Sequence, residues 1–155
     1  MSRTGPMPFD LPHPDYDAEF YEGVPTKRAV AWVIDFVICL LAAAALTLVV
    51  GIMTIGVGFF FFPGILFLIT FFYRFTTIAG GSATWGMAFT GIELRDRSGQ
   101  RLDPLQSAFH TGIFMFLMAS VIGWIATVAA IVLTRYNQGI PDLLLGTTAI
   151  NRPAY

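Results

Sequence analysis

Residues 36–73, FVICLLAAAALTLVVGIMTIGVGFFFFPGILFLITFFY, run for 38 positions without a charged side chain. As one helix at about 1.5 Å per residue the stretch would reach roughly 57 Å, nearly twice the ~30 Å hydrocarbon core of a bilayer. It therefore has to fold back on itself. Gly51, Gly56 and Gly58, with Pro63 and Gly64 just beyond, supply the break, because glycine loosens and proline terminates helices. The reading is a two-helix transmembrane hairpin, with span 1 over residues 29–50 and span 2 over residues 59–77.

A third apolar segment covers residues 111–134 and is also free of charge. At roughly 36 Å it is long enough for one crossing, and it can equally bend at Gly123 and re-enter, since neither half reaches across alone. Ala119, Gly123, Ala126 and Ala130 make a small-residue stripe on it, of the kind that lets another helix approach closely.

The composition agrees with a life in lipid. Of 155 residues 55% are apolar and only 12% charged, against about 25% charged in soluble domains, and the mean hydropathy is +0.69. The expected class is an all-α integral membrane protein of one domain, and not an enzyme. Its apolar surface is to be covered by the lipid bilayer or by further copies in a homo-oligomer. Cys39 is the single cysteine and lies inside span 1, so it offers no disulfide. The formal charge of −1 comes with no basic cluster, which argues against nucleic acid. His13 and His110 have no metal-ligand spacing, no catalytic set is visible, and Gly56-Val57-Gly58 lacks both the third glycine and the βαβ setting of a dinucleotide site. Neither cofactor, metal nor catalytic residue is expected.

Residues 1–26 hold five prolines and five acids against one arginine and read as a flexible, acidic tail without a signal-peptide pattern. The transmembrane domain proper occupies residues 27–150, and residues 151–155 form a short C-terminal tail. Between spans 2 and 3, residues 82–89 suggest a small surface helix with Trp85 at headgroup depth. The alternation in residues 92–96, followed by Ser98-Gly99 and then residues 100–103, suggests a β-hairpin on the membrane surface. Lys27 and Arg28 precede span 1 and Arg74, Arg95, Arg97 and Arg101 follow the hairpin, while the turn at its far end has no base. The positive-inside rule then puts the N-terminus in the cytoplasm.

Asp35 sits within span 1, where a charge costs roughly 2.5 to 3.5 kcal/mol on insertion scales and so needs a partner facing it. Arg28, seven residues earlier and about 10.5 Å along the axis, is the nearest base on nearly the same face. Ala31 and Ala42 share the face of Asp35 and mark it as a helix contact. Asp142 follows the third segment. His110 and the Phe59–Phe62 run read as a solvated interfacial side chain and as lipid-facing packing, respectively.

Those residues in that order resemble the RDD family of membrane proteins, named for one arginine and two aspartates. The resemblance runs over about residues 24–150. It includes VPTKRAVAWVID at 24–35, GSATWG at 81–86, GIELRDRSG at 91–99 and IPDLLLGT at 140–147. It implies that Arg28, Asp35 and Asp142 form a charge cluster at the cytoplasmic face of a bacterial inner membrane, as an ion- or ligand-binding site or as a structural one. The chain departs from the family pattern at Met87, His110 and Pro141, where the family often has a basic residue, an arginine and a histidine, so those roles do not carry over. Two functions are expected: transport of an ion or small solute with Asp35 titrating, or a non-transporting scaffold or assembly factor in which the three charges are anchors. The scaffold would recruit a protein partner through the acidic tail or the surface hairpin.

Overall fold

A computed structural model describes residues 11–152. Helix α1 (Val24–Met53) begins after Gly23, which is left-handed at φ 68°, and carries Pro25 in its first turn, where the missing N–H is no loss. Beyond Val24, its buried residues are Ala31, Asp35, Cys39, Ala43, Thr47 and Gly51, a four-residue repeat of small groups that forms one inward stripe. Ala43, and not Ala42, continues the stripe; Ala42 is exposed. Val33, Val37, Leu41, Leu48 and Ile52 lie on the outer face, where lipid would cover them.

The chain reverses through a 3-10 turn, Val57–Phe61, into α2 (Phe62–Gly81). Thr54 Oγ1 donates to the Val50 carbonyl and accepts from the Gly58 amide, both at 2.7 Å, and Gly56 takes φ 94°. Gly51 and Gly58 then permit closest contact: a Cβ on Gly51 would lie 2.6 Å from the Phe59 ring, and one on Gly58 2.7 Å from the Gly51 backbone. The segments Ala18–Met53 and Val57–Gly81 are both long and apolar enough to cross a membrane.

Helix α3 (Trp85–Thr90) is capped by Thr84, packs on α1 and leads into β1 (Ile92–Arg95). Gly86 makes that packing close, since a Cβ there would stand 2.3 Å from the Ala31 carbonyl oxygen. The strand does not form a hairpin with residues 100–103. It pairs antiparallel with β2 (Thr148–Asn151), Ile92 opposite Asn151 and Arg95 opposite Thr148. The Ser98-Gly99 turn is present, but it is closed on Asp96, whose carboxylate accepts from the amides of Ser98 and Gln100. The following residues lead straight into α4 (Pro104–Met118), capped by Asp103 and Gln106 in a reciprocal box, the arrangement that starts a helix most firmly.

The third apolar segment is two helices, α4 and α5 (Val121–Leu133), bent by 120°. The break falls at Ala119–Ser120, before Gly123, because Ser120 Oγ caps α5 by accepting from the Gly123 amide at 3.0 Å. At 1.5 Å per residue the two helices are roughly 22 and 20 Å long, each short of the hydrocarbon thickness. Gly123 and Thr127 face inward on α5, and Gly123 sits against the Leu117 carbonyl. Helix α6 (Ile140–Leu145) then brings the chain back to the start of α1.

Residues 11–23, within the segment read as a tail, make several contacts with the domain. Asn137 Nδ2 donates to the Tyr21 carbonyl at 3.3 Å, Asn151 Nδ2 donates to the Glu19 and Glu22 carbonyls, and Arg135 pairs with Asp15. Residues 1–10 and 153–155 of the two tails lie outside the described residues.

Candidate functional site

The three charges singled out in the sequence fall into two clusters. Asp35 is buried in the inward stripe of α1. Its Oδ1 accepts from Tyr73 Oη at 2.6 Å and from the Gly86 amide at 2.9 Å, and its Oδ2 accepts from Thr84 Oγ1 at 2.6 Å. The base facing it is Arg74 of α2, with Nη1 3.9 Å from Oδ2, and not Arg28. Tyr73 also accepts from the Trp85 amide at 3.1 Å, so one carboxylate ties together α1, α2 and the start of α3.

Arg28 goes instead to Asp142. Its Nη2 is 2.7 Å from Oδ2, which also accepts from the Gly139 amide at 3.0 Å. Oδ1 accepts from Thr147 Oγ1 and faces His110 Nε2, each at 2.9 Å. Asp142 is the third residue of α6, so reaching back to Gly139 caps that helix as it binds α1 and α4. Burial by itself raises the carboxyl pKa, but Arg28, the His110 hydrogen bond and the Gly139 amide outweigh it and hold Asp142 well below the usual carboxylate range. An ionised carboxylate only accepts, so His110 Nε2 carries the proton between them.

His110 is thus fully buried in the site and not solvated at an interface, and it and Arg74 are the residues that sequence reasoning missed. A base close to the end of a span reads as a topology signal. The available sign for Arg74 was that Phe75, Ile78 and Ala79 continue the apolar pattern for another turn, which puts it inside the span and not at its edge.

Both clusters border one cavity of about 550 Å³, lined by Arg28, Asp35, Arg74 and His110 and by α1, α4 and α5 side chains including Trp32, Phe114, Trp124 and Val128. The Arg74 guanidinium stacks on the Phe114 ring, 3.8 Å from its centroid, a contact that favours a cation with little water around it. Arg28 Nη1, Arg74 Nε and His110 Nδ1 are buried and have no hydrogen-bond partner among the described residues. Chemically the arrangement is a mainly apolar chamber with two guanidiniums in its wall, each set by an aspartate behind it. The described residues contain no group of three or more His, Cys, Asp or Glu placed to hold a metal ion.

Comparison with known proteins adds one identification to this geometry. No curated protein and no solved structure matches the chain. The sequence profile of the RDD family does match, over residues 23–146, from the glycine before α1 to the glycine that ends α6, and the chain is accordingly a membrane protein of the RDD family.

Proposed function

We propose that this protein binds and moves a small solute across the membrane, and that the cavity between α1 and the α4–α5 pair is the solute site. The observation that carries the reading is the chamber of about 550 Å³ that reaches both charge clusters, a volume within the range of small-molecule sites. Asp35 as a titrating ion site would have to give up three hydrogen bonds and the facing Arg74 to take a proton or cation. Its oxygens, both already hydrogen-bonded within the protein, favour a role in positioning Arg74. Asp142 does the same for Arg28.

The placement of bases supports a cytoplasmic N-terminus. Lys27 bonds to Asn151 of β2, Arg152 and Arg101 face Glu93 of β1, and Arg135 reaches Asp15, so these residues gather at the end where α1 begins. The opposite turn, residues 54–61, has none. By the positive-inside rule that end faces the cytoplasm, and the bent α4–α5 pair enters from it and returns. A bacterial inner membrane is the setting this reading assumes.

Proteoliposomes challenged with gradients of protons, monovalent cations and small organic anions test the proposal by their electrical or tracer response. A protein-dependent flux is expected, and Val128→Phe, which adds bulk to the cavity wall from α5 at a residue that belongs to neither charge cluster, is expected to reduce it at least about tenfold. A second reading rests on the hydrogen bonding of both carboxylates within the protein: the charges are anchors of a scaffold, a fixed assembly surface. Absence of flux under every gradient, with oligomer or partner assembly lost in Asp35→Asn, would favour the scaffold.

A further inference from the structure

We infer that the cavity takes an amphipathic monoanion, one carboxylate or phosphate ester head held between Arg28 and Arg74 with an apolar body lying among Trp32, Phe114, Trp124 and Val128. The inference rests on the reading of the cavity as a solute site and adds the chemical class of the solute. Its basis is the unmet bonding of the two guanidiniums. Arg74 is 4% exposed, its guanidinium makes no hydrogen bond among the described residues, with Nε buried and unpartnered, and it faces Asp35 only at 3.9 Å. Arg28 uses Nη2 on Asp142 and leaves Nη1 buried without a partner. A buried N–H of a cation without an acceptor is costly, and the two side chains that carry these groups, from different helices, both line the same chamber.

The charge on the ligand is limited by what the wall already contains. Asp35 and Asp142 balance Arg28 and Arg74 in formal charge, so the unmet demand is for hydrogen-bond acceptors more than for net negative charge. A single negative head supplies acceptors for both guanidiniums, whereas a dianion would be repelled by the two carboxylates behind them. A cation is disfavoured because the oxygens of both aspartates are engaged. The rest of the chamber has no charged group, and a fully polar solute would leave its hydration there uncompensated.

Bromine quenches indole fluorescence on contact, and Trp32 and Trp124 border the cavity while Trp85 does not. Protein carrying Trp85→Phe, in phosphatidylcholine nanodiscs, is titrated with bromooctanoate, bromooctanol and bromooctylammonium. Saturable quenching by bromooctanoate is expected, with the alcohol and the ammonium at least about tenfold weaker, and with Arg74→Gln weakening the carboxylate about tenfold while leaving the alcohol unchanged. Should Arg74→Gln fail to fold, Val128→Phe must abolish quenching by the carboxylate. Saturable binding of the alcohol or ammonium at equal or greater strength overturns the anion inference and leaves the cavity reading standing. Absence of saturable quenching by all three, in protein with an ordinary thermal transition, overturns both. Adding phosphatidylglycerol to the discs separates the sources: competition with bromooctanoate identifies an acidic lipid as the anion, and its absence a free organic acid.

Discussion

At Asp142 four donors from α1, α4, the Gly139 amide and Thr147 converge on two oxygens. Asp142→Asn keeps the shape and removes the charge, leaving Arg28 buried beside a neutral amide, and is expected to lower stability in detergent by about 3 kcal/mol. The pH dependence follows from the direction of its shift. Because the folded carboxyl titrates below its unfolded counterpart, the stabilisation is fully present above the ordinary carboxylate value of about 3.9 and is lost only as pH falls below it toward the lower folded value. The difference in thermal midpoint between wild type and Asp142→Asn should therefore be level from about pH 8 to 5 and shrink in acid below about pH 4. A difference that fades already at pH 6 would contradict this ionisation. Arg28, Asp35 and Asp142 were legible in the sequence because a charge within or beside an apolar run is anomalous without any knowledge of the fold. Their pairing was not. Arg28 and Asp35 are neighbours along one helix, but the partners that meet them come from α6 and α2, and only the tertiary arrangement decides that Arg74 reaches Asp35 first.

Among the elements, α3 owes its close packing on α1 to a single absent side chain. Gly86→Ala would put a methyl group 2.3 Å from the Ala31 carbonyl and 2.8 Å from Asp35 Oδ1, displacing α3 and the amide that bonds to Asp35. A loss of about 1 to 3 kcal/mol is expected, with a lower thermal midpoint; an unchanged midpoint would mean that α3 is free to move away from α1. The long apolar helices were readable because length and lack of charge suffice to define them. The sheet was only half readable. The alternation in residues 92–95 gives β1, but a strand's partner is set by tertiary contact and not by the turn that follows it. Ser98-Gly99 mimics a hairpin turn, yet the capping box of Asp103 and Gln106 commits the next residues to α4, leaving β1 to pair with Thr148–Asn151. The break in the third segment was misplaced for a similar local reason: Gly123 can bend a chain, but Ser120 can end one helix and cap the next.

Over the whole molecule, the 120° bend between α4 and α5 and the Arg28–Asp142 contact predict that both ends of the pair open on one side of the membrane. In a Cys39→Ala background, cysteines at Ser98 and Arg135 should react with an impermeant maleimide from the same side of sealed vesicles, and one at Val57 from the other. Arg135 and Val57 labelling together would overturn the return path. The Arg28–Asp142 pair joins residues 114 positions apart, and that separation also orders events during synthesis. α1 and α2 can enter the bilayer as a hairpin while residues 140–151 are still unmade, so Arg28 waits without its carboxylate and β1 without its neighbouring strand. Closure of this long loop carries a large entropic cost that is repaid only when α6 and β2 arrive together. The nascent protein is thus held open until residues 140–151 emerge, and chains halted before Asp142 would present an unpaired arginine and a bare strand edge to the quality-control machinery of the membrane.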